Sequence, residues 1–376
     1  KQGLLQKDIV LGNTLVDMYA KCGAIEKARE VFEQLSSKDV VSWNVMISGY
    51  AQNGYSEDVI LLFDRMQHEG IEPNNVTFNT MIAAHSQHGY CDEAIHLFNR
   101  MQKEGFLPDL ITWNTFLSGQ AQHGEDRAVL QLFGEMMETG ISPNKVTFLS
   151  VIKASSNLAS IHDGEICNHV IIESSLESDM MVVSTLIDMY ARCGNLKHAK
   201  LVFEKMRTCN VMIWTAMIGG FVHCGQYRNA LKLFGDMQRE GWKPNDVTFV
   251  SILSACSHAG LIDEGYAYFQ LMRNGYKISP TIPHYNCFID LFGAIGYLLE
   301  AQYLLLSIPL EHNIIGWTSL LSHCRKYTEA GIARKCFERS VSMDCRHASF
   351  YAMMSSMYSE FGMWEDAEQT QAMKVV

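Results

Sequence analysis

Met66, Met101 and Met136 lie 35 residues apart, as do Gly70, Gly105 and Gly140, and Pro73, Pro108 and Pro143. Self-similarity at a fixed period of this size means one supersecondary unit per period, and such a unit cannot bury its apolar face without its neighbours. The chain is thereby constrained to a quasi-linear array. From Pro143 to Pro244 the gap is 101 residues, two units of 35 and one of 31, and from Pro244 to Pro280 it is 36. Unit length therefore varies in an ordered way. Cutting after each Pro-Asn or Pro-Asp and its equivalents gives repeats 9–39, 40–74, 75–109, 110–144, 145–179, 180–210, 211–245, 246–281 and 282–313. Two further units, 314–347 and 348–376, complete the chain, and residues 1–8 are the tail of an earlier unit.

Each repeat reads as two short helices. Ser42, Thr77, Thr112, Thr147 and Thr248 suit an N-cap, and apolar residues follow at helical spacing, as in Trp43, Met46, Ile47 and Tyr50. Gly54, Gly89, Gly124 and Gly225 break the first helix. A second amphipathic run, for example Ala94, Leu97, Phe98 and Met101, ends at a glycine with proline just beyond. Small residues recur at the twentieth place (Ala28, Ala94, Gly164, Ala199, Ala230, Gly265, Ala301, Ala333, Ala367), where neighbouring helices must approach closely. No segment alternates with period two, so the expected fold is all-α, a right-handed superhelical solenoid of helical hairpins with a long concave surface.

Composition excludes several classes. With 7 prolines and 19% charged residues the chain does not read as domains on disordered linkers, and no apolar run is long enough to span a membrane. A soluble protein with no membrane partner is expected. The formal charge of -11 argues against a partner held chiefly by counterion release from phosphates. Acids are sparse in the first twelve places of the repeats, where only Asp17, Asp188, Asp246 and Asp290 occur, so a near-neutral inner face is expected. Eleven cysteines form no C-x-x-C, and three of them recur before glycine as Cys22, Cys193 and Cys224, which reads as packing in a reducing compartment. The chain opens at Lys1 with no recognisable targeting peptide, as a cut fragment would.

Stretches such as "NVTFNTMIAAHSQHGYCDEAIHLFNRMQKEGFLPD" resemble pentatricopeptide repeats. The mixture of 35-, 31- and 36-residue units, with "IVLGNTLVDMYAKCGAIEKAREVFEQLSSKD" and "MMVVSTLIDMYARCGNLKHAKLVFEKMRTCN" as short ones, resembles the plant PLS subfamily. Residues 314–376, with "WTSLLSHCRKY" and "MYSEFGMWEDA", are similar to the paired E-type extension motifs of organellar RNA-editing factors. Tetratricopeptide repeats, with a period of about 34 and a groove for peptides, are the main architectural competitor. The variable unit length, and a polar fifth place coupled to Asn or Asp at the end of the unit, separate the two.

The resemblance implies a sequence-specific single-stranded RNA-binding protein, a site-recognition factor for C-to-U editing in a chloroplast or mitochondrion. It also implies a DYW-type cytidine deaminase recruited in trans, and accessory proteins of the multiple organellar RNA-editing factor type. Stabilisation, processing or translation of an organellar transcript is the alternative use of the same solenoid, and a peptide-binding scaffold is the alternative from another class.

Base recognition then falls on paired residues at the fifth and last places. These are Asn13 with Asp39, Asn44 with Asn74, Asn79 with Asp109, Asn114 with Asn144, Ser184 with Asn210, Thr215 with Asn245, and Asn286 with Asn313. A carboxylate only accepts, which suits the imino N–H of uracil or guanine, whereas an amide can donate to the ring nitrogen of cytosine or adenine. By the family's rule Asn at the fifth place implies a pyrimidine and Ser or Thr a purine. Leu149 and Val250 leave two repeats silent. The expected site is 5′-U-Y-U-Y-N-A-A-N-Y-3′. Val10, Val41, Val76, Ile111, Val146, Met181, Met212 and Val247, at the second place, would stack between bases, although core packing is an equal reading of each. Phosphate contacts at the thirteenth place reduce to Lys21, Arg192 and Lys326, so modest affinity or dependence on a partner is expected.

No catalytic residue, metal or cofactor is expected. A zinc cytidine deaminase needs a P-C-x-x-C ligand pair, which the sequence does not contain. His85-x-x-His88 has no third ligand in view and reads as core or surface histidine.

Overall fold

The computed structural model describes residues 8–206, 209–307, 313–342 and 348–373. They form twenty-two α-helices, and no strand occurs among the described residues. The chain divides into two compact units, one up to Met189 and one from Tyr190.

The first unit holds the helix pairs α1 (Ile9–Lys21) and α2 (Ile25–Glu33), α3 (Val40–Gln52) and α4 (Ser56–His68), and α5 (Asn75–Gln87) and α6 (Cys91–Lys103). It continues with α7 (Leu110–Gln122) and α8 (Asp126–Glu138), α9 (Lys145–Asn157) and α10 (Ile161–Glu173), and most of α11 (Met180–Arg192). In the second unit come α12 (Leu196–Lys205), α13 (Val211–His223), α14 (Tyr227–Arg239), α15 (Asp246–Ala259) and α16 (Ile262–Gln270), the last running into a π turn at Leu271–Gly275. After it follow α17 (Ile282–Ala294), α18 (Leu298–Ser307), α19 (Ile314–Lys326), α20 (Ala330–Ser342), α21 (Ala348–Glu360) and α22 (Trp364–Met373). In each unit the first helix of a repeat packs on its own second helix and on the first helix of the next repeat, α3 on α5 and α5 on α7, α15 on α17 and α17 on α19. Within each unit the first helices thus line up as a layer and repeat the same places along it, the arrangement of an α-solenoid.

Two side chains per junction lock consecutive repeats. An aromatic at the twenty-fourth place meets one at the fourth place of the following repeat, with ring centroids 4.9 Å apart for Phe32 and Trp43, 5.4 Å for Phe63 and Phe78, and 4.8 Å for Phe98 and Trp113. The second unit repeats the device with Phe203 and Trp214 at 5.1 Å and Phe234 and Phe249 at 5.6 Å. Such pairs contribute about 0.5–1.5 kcal/mol each beyond the area they bury. The twentieth place is buried as expected. At Gly164 a Cβ would come within 2.6 Å of the Met189 sulfur, so the helix there can only be glycine without repacking.

The helix starts differ from the sequence expectation by one turn. Ser42, Thr77, Thr112, Thr147 and Thr248 are not the N-caps but the third residues of their helices. The caps are Asp39, Asn74, Asp109, Asn144 and Asn245, the last residues of the preceding repeats, and each forms a reciprocal capping box with its hydroxyl partner. The reason is extended backbone at the cap, after proline in four of the five and after Lys38 at Asp39, which lets its short side chain reach the amide three residues on. Between the two helices of a repeat the chain reverses through a left-handed residue, as at Gly89 with φ of 81°. Repeat 145–179 has no glycine at either turn, and Ala159 and Ser175 adopt φ of 51° and 57° there.

Candidate nucleic-acid interface

The last-place residues are fixed by their capping duty. Oδ1 of Asn74 accepts the Thr77 N–H at 3.1 Å, and Oδ1 of Asn144 accepts the Thr147 N–H at 3.2 Å. Only an oxygen can accept, so the cap sets which way round each amide lies and turns Nδ2 away from the helix. Where the cap is Asp39 or Asp109, the same oxygen takes the Ser42 or Thr112 N–H at 2.8 Å and the second carboxylate oxygen occupies the place of that nitrogen. Capping therefore uses one atom of the side chain, and the second is a further donor in Asn and a further acceptor in Asp.

The fifth-place residues sit against these caps. Asn44 Nδ2 donates to Asn74 Oδ1 at 3.2 Å, and Asn114 Nδ2 to Asn144 Oδ1 at 3.1 Å. Asn313 Nδ2 donates to Asn286 Oδ1 at 2.6 Å. The Thr215 hydroxyl lies 2.7 Å from that of Thr248, which donates to Asn245 at 2.8 Å. Ser184 belongs to the first unit and donates to the Met181 carbonyl, while Asn210, in the second, caps α13 through the Ile213 N–H. Asn13 and Asn79 each keep a buried Oδ1 with no partner. Burial works against ionisation of Asp109, but hydrogen bonds from Thr112, Ile111 and Asn79 outweigh it and hold its carboxyl below the ordinary range. It is an anion, and an acceptor only, at neutral pH.

The second place is not core. All eight apolar residues there, Val10, Val41, Val76, Ile111, Val146, Met181, Met212 and Val247, are 39–69% exposed, although all but Val10 sit one residue from a buried position. Val76 and Ile111 are two walls of an open cavity of about 400 Å³, and Asn79 and Asp109 are also on its lining. A second cavity of about 310 Å³ is lined by Asn114 and Val146. An apolar wall on either side and a reading pair in the lining is what a single unstacked base requires. Sequence reasoning passed over Ile315, which holds the second place of 314–347 and is 70% exposed. Its signal was the same register.

The cations are partly committed. Lys21 Nζ is 2.7 Å from Asp17 on its own helix, and Lys326 Nζ donates to the Ala294 carbonyl at 3.3 Å. Arg192, also at the thirteenth place, is engaged within the protein as well. Leu149 stands at the fifth place of repeat 145–179, whose last residue, Asp179, accepts from Lys145 Nζ at 3.0 Å. His85 and His88 are bonded through Nδ1 to the carbonyls of Met81 and Ala84, and no group of three metal-ligating side chains occurs among the described residues. One His-x-Glu triplet of the deaminase type exists, His123-Gly124-Glu125, and it is the turn between α7 and α8.

A model of the PPR repeat family matches residues 38–85, 73–119, 108–157 and 209–258, and a PPR repeat model matches 13–40, 182–211 and 247–275. The chain belongs to the pentatricopeptide repeat (PPR) family. Among curated relatives, Pentatricopeptide repeat-containing protein At3g26782, mitochondrial, of Arabidopsis thaliana is 36% identical over 58% of this chain and 33% of its own length. Putative pentatricopeptide repeat-containing protein At1g68930 of the same plant is 30% identical over 97% of this chain and 40% of its own length. The PPR chain described here thus spans less than half of either relative. The crystal structure of the pentatricopeptide repeat protein PPR10 from maize shares the fold, with a TM-score of 0.55 at 20% identity over 98% of this chain and 64% of that one. PPR10 in complex with an 18-nt psaJ RNA element gives a TM-score of 0.45 at 17% identity, over 98% of this chain and 79% of that one.

Proposed function

We propose that this PPR protein binds single-stranded RNA in a sequence-specific manner and serves as a site-recognition factor for C-to-U editing of an organellar transcript. The observation that carries the reading is the cap-fixed orientation of the last-place residues. At Asp39, Asn74, Asp109 and Asn144 one atom of the last-place side chain starts a helix and the other is left over, a donor for Asn and an acceptor for Asp. The exposed apolar second places and the slot between Val76 and Ile111 support stacking of one base per repeat. The formal net charge of -11 fits recognition through base edges more than through phosphates.

The editing assignment rests on the likeness of 314–376 to extension motifs. In this reading the solenoid places a cytidine a few nucleotides 3′ of the base at Asn286 and Asn313, and 314–376 recruits a DYW-type deaminase, with accessory factors of the multiple organellar RNA-editing factor type. Relatives named mitochondrial support an organellar site of action, mitochondrion or chloroplast.

Binding to 5′-UCUCNAANC-3′ and to its single-base variants tests the RNA reading, and equal affinity across the set would sink it. Asn245→Asp is the sharpest single change. Asp caps helices in this chain as well as Asn does, so α15 stays intact while the preference opposite Thr215 moves from A towards G, by about tenfold or more. Disruption of the gene followed by organellar transcript sequencing tests the editing role, the expected result being one or a few cytidines left unedited.

A further inference from the structure

Repeats 40–74, 110–144 and 282–313 carry the same two reading residues, Asn at the fifth place and Asn at the last, yet their amides are not bonded alike. Beside the first two pairs stands a hydroxyl at the third place of the next repeat. Thr77 Oγ1 donates to Asn44 Oδ1 at 2.7 Å, and Thr147 Oγ1 to Asn114 Oδ1 at 2.6 Å. Each hydroxyl has one proton, and its distance to the last-place Oδ1 is longer, 3.1 Å and 3.2 Å, so the fifth-place carbonyl receives it. With that carbonyl satisfied, Asn44 and Asn114 turn their own Nδ2 towards the cap oxygen. Among the described residues Nδ2 of Asn74 and of Asn144 then has no protein acceptor.

The third pair lacks the hydroxyl, because the third place of 314–347 is Gly316. Asn313 still caps its helix through Oδ1, at 3.1 Å from the Gly316 N–H, but one of its two Nδ2 protons is now taken by Asn286 Oδ1 at 2.6 Å, and burial of Asn313, only 4% exposed, keeps the other from solvent. Glycine is what permits this closure. A Cβ at position 316 would stand 2.6 Å from Asn313 Nδ2 and 2.9 Å from Asn286 Oδ1, between the two amides. Where the last place is a carboxylate, the hydroxyl goes to it instead, Ser42 to Asp39 and Thr112 to Asp109 at 2.9 Å each, and the fifth-place Oδ1 of Asn13 and Asn79 is left without a partner.

We propose that the third-place hydroxyl of the following repeat is a specificity-determining positioning residue: it decides whether the last-place amide offers its donor to a base or spends it inside the protein. Thr77 and Thr147 hold their slots open for a cytosine ring nitrogen. Gly316 leaves the Asn286–Asn313 slot closed, so the 3′-terminal base of the recognition site is bound by stacking, with Ile315 as one wall, and is not discriminated. This rests on the RNA reading above and changes its last letter from a pyrimidine to any base.

The test is a base-preference measurement at two slots of one protein. In the wild type, exchange of C for A or G opposite Asn44 and Asn74 lowers affinity by about tenfold, and the same exchange opposite Asn286 and Asn313 changes it less than twofold. Thr77→Val removes the discrimination at the first slot only, and Thr77→Ser, which keeps the hydroxyl, restores it. A merely structural role for Thr77 would weaken all bases and all slots equally. Gly316→Ser independently parts the terminal amides and creates a preference there. Discrimination at the wild-type terminal slot equal to that at Asn44 and Asn74, or an unchanged ratio in Thr77→Val, would overturn the proposal while leaving the RNA reading intact. Absence of discrimination at every slot would be failure of the RNA reading itself.

Discussion

Repeats 40–74 and 282–313 differ in a way their letters conceal. Both offer an Asn–Asn pair whose last-place residue caps the first helix of the next repeat. In the former a buried threonine from the next repeat donates to the fifth-place carbonyl and the fifth-place amide donates to the cap, and in the latter a glycine lets the last-place amide donate to the fifth-place carbonyl instead. On the proposed RNA reading, a single repeat of the solenoid is then not the unit of recognition. Each pair straddles a junction, and the next repeat contributes both the helix that is capped and the side chain that arbitrates between the two polar groups.

The most demanding test of that contrast is the same substitution at both junctions. Asn74→Asp should move the preference of its slot from C to U by roughly 10–100-fold, because an acceptor replaces a donor in an open slot. Asn313→Asp should do much less, since the changed atom faces Asn286 and not a base. Competition binding with RNAs that differ at one nucleotide reads both, and equal shifts at the two slots would erase the distinction.

A second possibility is that scaffold rigidity, and not Gly316, closes the terminal slot. Asp290 on α17 ties three repeats together, accepting from Ser257 at 2.8 Å, Ser319 at 3.0 Å and His323 at 2.9 Å, whereas the equivalent place in repeat 40–74 is Ser48. The His323 hydrogen bond, helped by the two serines and opposed by burial, holds the Asp290 carboxyl at about 2. Its depressed value means that the stabilisation is present above the unfolded carboxylate range near pH 4 and is lost as pH falls through about 2. Asp290→Asn should cost on the order of 1–2 kcal/mol at pH 7, after discounting for a side chain one-third exposed, as read by urea denaturation. The terminal slot should stay as flat in base preference as before. If it gains discrimination, the network closes it.

The smallest effect concerns repeat 145–179, which is silent at Leu149 and has left-handed Ala159 and Ser175 where its neighbours have glycine. Ala159→Gly should raise stability by about 0.5–1 kcal/mol, as read by thermal denaturation, with no change in base preference. New discrimination opposite this repeat would mean that backbone strain silences it.

Much of this was legible in the residues. The 35-residue period and the glycine and proline punctuation gave the helical hairpins, because each marks a place where the chain must stop being helical. The polar fifth and last places stood out because they recur together in seven repeats, with Leu149 and Val250 as the two apolar exceptions at the fifth place. Two things were not legible. Ser42, Thr77, Thr112, Thr147 and Thr248 read as N-caps because hydroxyl before an apolar run is the local signal, and one dimension cannot say that the preceding Asn or Asp takes that duty. The second place read equally as core or groove, because helical periodicity places it beside the buried stripe, and only the packing of successive first helices leaves it exposed.

The sequence by itself therefore determined the repeat, its all-helical fold, and which side chains recur at each place. Those follow from local propensity and period. Tertiary structure decided what the recurring side chains do, because a hydroxyl proton, a cap oxygen and two amides from adjacent repeats compete within about 3 Å. Hydrogen-bond stoichiometry at that junction, with one proton from Thr77 and none from Gly316, is a property of contacts some thirty residues apart in the chain.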